Sequence, residues 1–167
     1  MLITSSRRTS TKTKEFCKEL ETVLPLSFYL PRGKESLRSI IDLAYEKGMD
    51  RLCIVETKEE EPSKISFIKV DLNWQWIGCI NVCVSLRRET ICPIEEDIEL
   101  NIGGKGKYLE DLAYFFNAVS GNSYAVIHLE NDTINFYRKD IHNKLIGPEI
   151  KILDLYRYDK DGQKDQT

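Results

Sequence analysis

A helix-then-strand pattern occurs twice in this chain, and that echo limits the fold more than any other feature. The first copy is "SLRSIIDLAYEKG" running into "LCIVE"; the second is "YLEDLAYFFNAVSG" running into "AVIHLE". Leu37, Ile40, Ile41 and Ala44 in one copy, and Leu109, Leu112, Ala113, Phe116 and Val119 in the other, recur at the spacing of one helical face. Each copy ends at a glycine, Gly48 or Gly121, suited to the left-handed conformation that terminates helices. Two copies are too few for a solenoid. The pattern predicts an α/β (α+β) chain of two similar halves, residues 1–88 and 96–155, each a mixed sheet with helices against it.

The remaining segments fill in this plan. "LIT" reads as a short opening strand, followed by a helix with Phe16, Leu20, Val23 and Leu24 inward, capped by Ser10 or Thr11 and closed by Pro25. "RLCIVE", "KISFIKV" and "WIGCINVCVSL" read as strands, the last two joined by the turn "DLNWQ". An acidic connector with Pro93 leads to a strand around "IELNI"; "YAVIHLE" and "TINFYR" follow, joined by the hairpin dipeptide "ND". "KLIGPEIKILDL" alternates to Leu155, and residues 156–167, "YRYDKDGQKDQT", are polar and aperiodic, the pattern of a flexible tail.

Composition removes several function classes. With 41% hydrophobic and 31% charged residues, the 167-residue chain is an ordinary soluble domain. No window is long and apolar enough for a membrane span, and "MLITSSRRTSTKTK" lacks the apolar stretch of a signal peptide, so a cytoplasmic protein is expected. The five cysteines form no C-x-x-C pair and read as small buried hydrophobes; with only His128 and His142 beside them, no metal site is expected. His128 falls in an apolar strand as a packed residue, and His142 in a polar turn. Trp74 and Trp76 flank a turn, where they serve either the core or base stacking. No nucleophile–base pair stands out, and "NIGGKGKYL" has neither a P-loop nor a dinucleotide fingerprint. Catalytic residues, cofactors and small-molecule substrates are therefore not expected.

The cations are more informative than their sum. Net charge is −3, yet basic residues gather at three helix mouths: Ser6, Arg7, Arg8, Ser10, Lys12 and Lys14; Arg32, Gly33, Lys34 and Arg38; and Lys105, Gly106 and Lys107. The first turn of a helix leaves backbone N–H groups unpaired at the positive end of its dipole, glycine lets an anion approach closely, and neighbouring cations add charge-assisted bonds. These three mouths are candidate phosphate sites. The alternative is that each is a solvated turn, and the sequence leaves open whether they share one face.

The segments "LITSSRRTSTKTKEFCKELETVLP", "RGKESLRSIIDLA" and "FYRKDIHNKLIGPEIKILDL" resemble, in that order, the characteristic segments of the Brix domain, over residues 1–155. The resemblance implies a compact archaeal-type protein of ribosome biogenesis, without enzymatic activity, whose partners are precursor rRNA and ribosome-assembly proteins. It also implies two halves, each resembling the anticodon-binding domain of class IIa aminoacyl-tRNA synthetases, related by a pseudo-two-fold. Ser6, Arg7, Ser10 and Lys14 fall on the family's opening basic motif, Arg32, Gly33 and Lys34 on its R-G-K segment, and Gly147 and Pro148 on its Gly-Pro box, where Glu149 replaces the usual Arg. The expected function is RNA binding in rRNA processing and subunit assembly. The alternative is a protein-interaction scaffold of a pre-ribosomal particle, acting through the acidic segment at Glu95, Glu96 and Asp97.

Overall fold

The computed structural model describes residues 1–142 and 144–158. Nine strands form one mixed sheet: β1 (Leu2–Ser5), β2 (Phe28–Leu30), β3 (Arg51–Lys58), β4 (Glu61–Lys69), β5 (Gln75–Ser85), β6 (Asn101–Gly104), β7 (Ala125–Glu130), β8 (Thr133–Arg138) and β9 (Lys144–Arg157). Their order is β2-β1-β3-β4-β5-β9-β8-β7-β6. Pairing is parallel at β1–β2, β1–β3 and β6–β7, and antiparallel elsewhere. Three helices complete the fold: α1 (Thr11–Val23), α2 (Leu37–Glu46) and α3 (Leu109–Phe116). The chain is thus a mixed α/β fold with a single large sheet.

Local sequence explains most of the boundaries. Ser10 caps α1, its side chain accepting the Thr13 N–H at 3.1 Å, and Ser36 does the same for Ser39 at the start of α2. Asn131 and Asp132 both take positive φ (49° and 57°), the conformation of a tight hairpin turn. Three boundaries depart from the sequence reading. The sequence carries no sign of β2: "FYL" is too short to alternate, and it forms as an edge strand beside β1. α3 stops at Asn117, in the left-handed conformation (φ 51°), and not at Gly121; Val119 leaves the helix and bridges Asn101 of β6. β9 passes Leu155 to Arg157, and Tyr158 donates its N–H to Ile77 O, so the start of the expected tail is ordered. Residues 159–167 of that tail lie outside the described residues.

The two faces of the sheet are covered unequally. On one face α1 and α3 bury Ile3, Cys53, Phe67, Ile80, Ile127, Phe136 and Ile150 in the main core. On the other, α2 packs Ile40, Ile41 and Ala44 on Leu2, Leu52, Ile54 and Ile68. Phe115 of α3 stacks on Phe67 of β4 with centroids 5.0 Å apart, and a Cβ at Gly78 of β5 would collide with the Phe115 ring, so α3 packs across β4 and β5. Gly147 of β9 plays the matching part under α1: at φ 69°, an added Cβ would lie 2.6 Å from Val23 Cγ1. The Gly-Pro box therefore seats a helix, and Glu149 beside it pairs with Arg87 at 3.6 Å.

The echo in the sequence pairs α2 with α3, and the structure separates them. They lie on opposite faces. It is α1 that shares a face with α3, and each of these helices leads to backbone lying alongside the strand that preceded it, β2 beside β1 and Val119 beside Asn101. Apolar periodicity records that a helix buries one stripe; it does not record on which side of the sheet.

Smaller expectations sort in the same way. Cys17, Cys53 and Cys79 are buried, whereas Cys83 and Cys92 are exposed, the first on the part of the sheet that α2 does not reach and the second in the connector. Trp74 and Trp76 pack at the margin of the α2 core. His128 is half-buried with its ring edge-on to Tyr137 at 6.0 Å, and His142 is exposed in a turn.

Candidate nucleic-acid interface

The strand order fixes where each basic helix mouth opens. β1, β2 and β3 run in one direction; five successive antiparallel pairings separate β3 from β7, so β7 and its parallel neighbour β6 run the other way. The mouths of α1 and α2 follow β1 and β2 and share one end of the sheet. The mouth of α3 follows β6 and opens at the opposite end, seven strand positions from β1, or roughly 34 Å along the sheet at ordinary spacing. The three basic clusters do not form one surface.

At the first end, the connections leaving β1 and β2 pass to opposite faces, because α1 and α2 do. A connection pattern of this kind opens a crevice at the carboxyl ends of the strands, the place where open α/β sheets commonly take ligands. Ser6 extends the ladder through its N–H to Val55 O (2.8 Å), and Thr4 Oγ1 donates to Leu30 O (2.7 Å), which ties the two connections together. Arg7, Arg8 and Lys34 are exposed, and Arg32 is half-buried with its Nε donating to Glu35 O. Burial, and second the nearby Arg7 guanidinium, hold the Arg32 guanidinium below its ordinary pKa. Neither α1 nor α2 has an acidic residue in its first turn, though the Glu35 carboxylate stands just before α2 and accepts from Ser39 Oγ.

The remaining candidates at this end divide by their partners. Ser10 is buried and committed to its cap, its hydroxyl also donating to Thr13 Oγ1 at 3.0 Å, so it is a structural residue and not a free phosphate donor. Ser6 Oγ donates to Arg8 O. Lys12 pairs with Glu61 at 2.5 Å and Arg38 with Asp42 one helical turn on. Arg7, Arg8, Lys14, Arg32 and Lys34 make no ion pair among the described residues. Thr9 Oγ1, at the same end, has no hydrogen-bond partner among the described residues.

The mouth of α3 is built differently. An added Cβ at Gly104 would strike Leu129 O, and one at Gly106 would lie 2.9 Å from Leu129 Cδ2. These glycines therefore answer to packing against β7, whereas Gly33 faces open space and owes its identity to φ 52°. Lys107 lies over the Tyr108 ring at 4.6 Å, and Lys105 is exposed. Glu110 and Asp111 occupy the first turn and already complement the helix dipole, which disfavours a second anion. Among the described residues no group of three or more His, Cys, Asp or Glu could hold a metal ion.

No family model matches the chain. Two solved structures share its fold: a probable ribosomal biogenesis protein from Aeropyrum pernix, TM-score 0.76 at 23% identity over 90% of this chain and 93% of that one, and an archaeal Imp4-like protein, TM-score 0.71 at 20% identity over 93% and 98%. Curated relatives carry the stronger sequence signal. The probable Brix domain-containing ribosomal biogenesis protein of Thermococcus kodakarensis is 39% identical over 91% of this chain and 88% of its own length. Its counterpart in Pyrococcus horikoshii is 33% identical over 91% and 82%. With identity at this level along nearly its whole length, the chain belongs to the Brix domain family.

Proposed function

We propose that this chain is a non-enzymatic ribosome-biogenesis factor that grips precursor rRNA at the carboxyl ends of β1 and β2 and so assists rRNA processing and subunit assembly in the cytoplasm. The observation that carries the reading is the gathering of Arg7, Arg8, Arg32 and Lys34, without acidic partners among the described residues, where two helices with no acid in their first turns begin. The names of the relatives support the process. Contacts of this kind neutralise phosphates and position RNA; they read its shape more than its bases. Lys105, Gly106 and Lys107 are assigned a lesser part, because α3 supplies its own acids.

The finer architecture belongs to the same proposal. Residues 1–155 form one Brix domain of two halves related by a pseudo-two-fold at β5–β9, each resembling a class IIa anticodon-binding domain. The order of pairings, parallel then antiparallel outward-in from both edges, supports it, as do α1 and α3 on one face.

The test is anisotropy binding of a fluorescent structured rRNA fragment to wild type, to Arg7→Glu/Arg32→Glu/Lys34→Glu and to Lys105→Glu/Lys107→Glu, each verified as folded by circular dichroism. The first variant should lose most of the affinity and the second little. Equal losses would refute the assignment to the β1–β2 end.

A further inference from the structure

The ends of the three helices meet at a second place. The C-caps Leu24, Lys47 and Asn117 all line one cleft of ≈ 740 Å³, beside Met1 and Asp50 ahead of β1 and β3; Leu100, ahead of the oppositely directed β6, reaches the same cleft because the twist accumulated across the sheet swings that strand round. The RNA-facing crevice lies at the carboxyl ends of β1 and β2, so the two are separate. Each helix turns the negative end of its dipole toward the cleft. Asp50, Asp97 and Glu99 add carboxylates; the cations in the lining are the Lys47 ammonium, 5.3 Å from the Phe28 ring centroid, and the Met1 α-ammonium, which donates to Leu26 O and faces Asp50, so Asp97 and Glu99 carry the charge left for a ligand. The walls are apolar as well: Leu26 and Val119, 44% and 43% exposed, are two of the five exposed large hydrophobics among the described residues, and Ile98 and Met49 also line the cleft.

The acidic connector forms one wall. It is held in place by Leu26 N–H to Ile94 O (3.0 Å), by the burial of Ile94 and by Tyr124 Oη to Glu96 Oε2 (3.0 Å). Asp50 is fixed by Asn117 Nδ2 at 2.6 Å. A held, electronegative cleft with exposed apolar walls is complementary in charge and character to a cationic chain that also carries large aliphatic side chains.

We propose that this cleft binds a lysine- or arginine-rich segment of a protein partner, with its cations at Asp97 and Glu99 and an aliphatic side chain against Leu26 and Val119. The occupant is a protein because nucleic acid would bring its phosphates against three helix C-termini and three carboxylates. The cationic end and this cleft would then let one small domain hold an RNA and a basic protein at once.

The probes are a fluorescein-labelled lysine-rich peptide containing leucines, the same peptide with its leucines changed to serine, and a glutamate-rich control. Wild type should bind the first most tightly and the control not at all. Asp97→Asn/Glu99→Gln should weaken it about fivefold, the sum of two rim charges, while leaving affinity for the rRNA fragment within about twofold. Leu26→Asn, a residue that tolerates the positive φ of 45° at that position, should weaken the leucine peptide and leave the serine peptide unchanged. Equal peptide binding by all variants would overturn the proposal, as would RNA binding that falls in step with peptide binding. So would a wild-type dimer in sedimentation that Asp97→Asn/Glu99→Gln dissolves, since the occupant would then be a second copy of this chain.

Discussion

Neutralising Arg7 and Arg32 together should change how RNA binding responds to salt, not only how tight it is. Five cations at the β1–β2 end lack an acidic partner among the described residues: Arg7, Arg8, Lys14, Arg32 and Lys34. If each neutralises one phosphate, log affinity falls with log salt at a slope of about −3.5 on single-stranded RNA and about −4.5 on duplex. Between 50 and 200 mM salt, values chosen for the assay, that is a loss of roughly 130- to 500-fold. Arg7→Ala/Arg32→Ala leaves three cations, a slope of about −2.1 to −2.7 and a loss of roughly 18- to 42-fold. Anisotropy titrations of a labelled rRNA fragment across a salt series measure both slopes. A folded variant with the wild-type slope would refute the reasoning, because counterion release depends on how many phosphates are neutralised and not on the overall affinity.

Three further outcomes follow from other parts of the molecule. Phe115→Ala removes the stack on Phe67 and should cost about 3–5 kcal/mol by urea denaturation, in one transition; a cost below about 1 kcal/mol would show that α3 is not held against β4. Ser10→Ala should cost about 1–2 kcal/mol through the lost cap while leaving RNA affinity unchanged, and a clear fall in affinity would return its hydroxyl to the phosphate site. The hydrogen bonds from Arg138 hold the Asp140 carboxyl below its ordinary value of 3.8, so the stabilisation from this group is complete above that pH and lost as pH falls through the lowered folded value. Thermal unfolding between about pH 2 and pH 6 should therefore decline more steeply in wild type than in Asp140→Asn, and parallel curves would contradict this.

The parts that were legible are those whose cause is local. α1 announces itself through Phe16, Leu20 and Val23 and the Ser10 cap, and the β7–β8 turn through Asn131-Asp132. The Arg38–Asp42 pair stands at i,i+4 and could be read from spacing alone, whereas Lys12 finds Glu61 across the sheet and no spacing rule points to it. The placement of the helices was illegible for the same reason: α2 and α3 carry like patterns, and only the sheet order puts them on opposite faces. Two of the three basic mouths come together because β1 and β2 are parallel neighbours, and β2 is the strand that three residues could not announce. Nothing within the acidic connector shows that Ile94 is buried and that three helix ends arrive beside it.

Ultraviolet cross-linking of the wild-type protein to a structured rRNA fragment, with the adducts located by mass spectrometry, tests the central claim most directly. The account predicts adducts in peptides spanning residues 6–14 and 31–38, from both connections of the β1–β2 end. Adducts confined to residues 101–108, or spread over the sheet face away from α2 with none at the β1–β2 end, would contradict it.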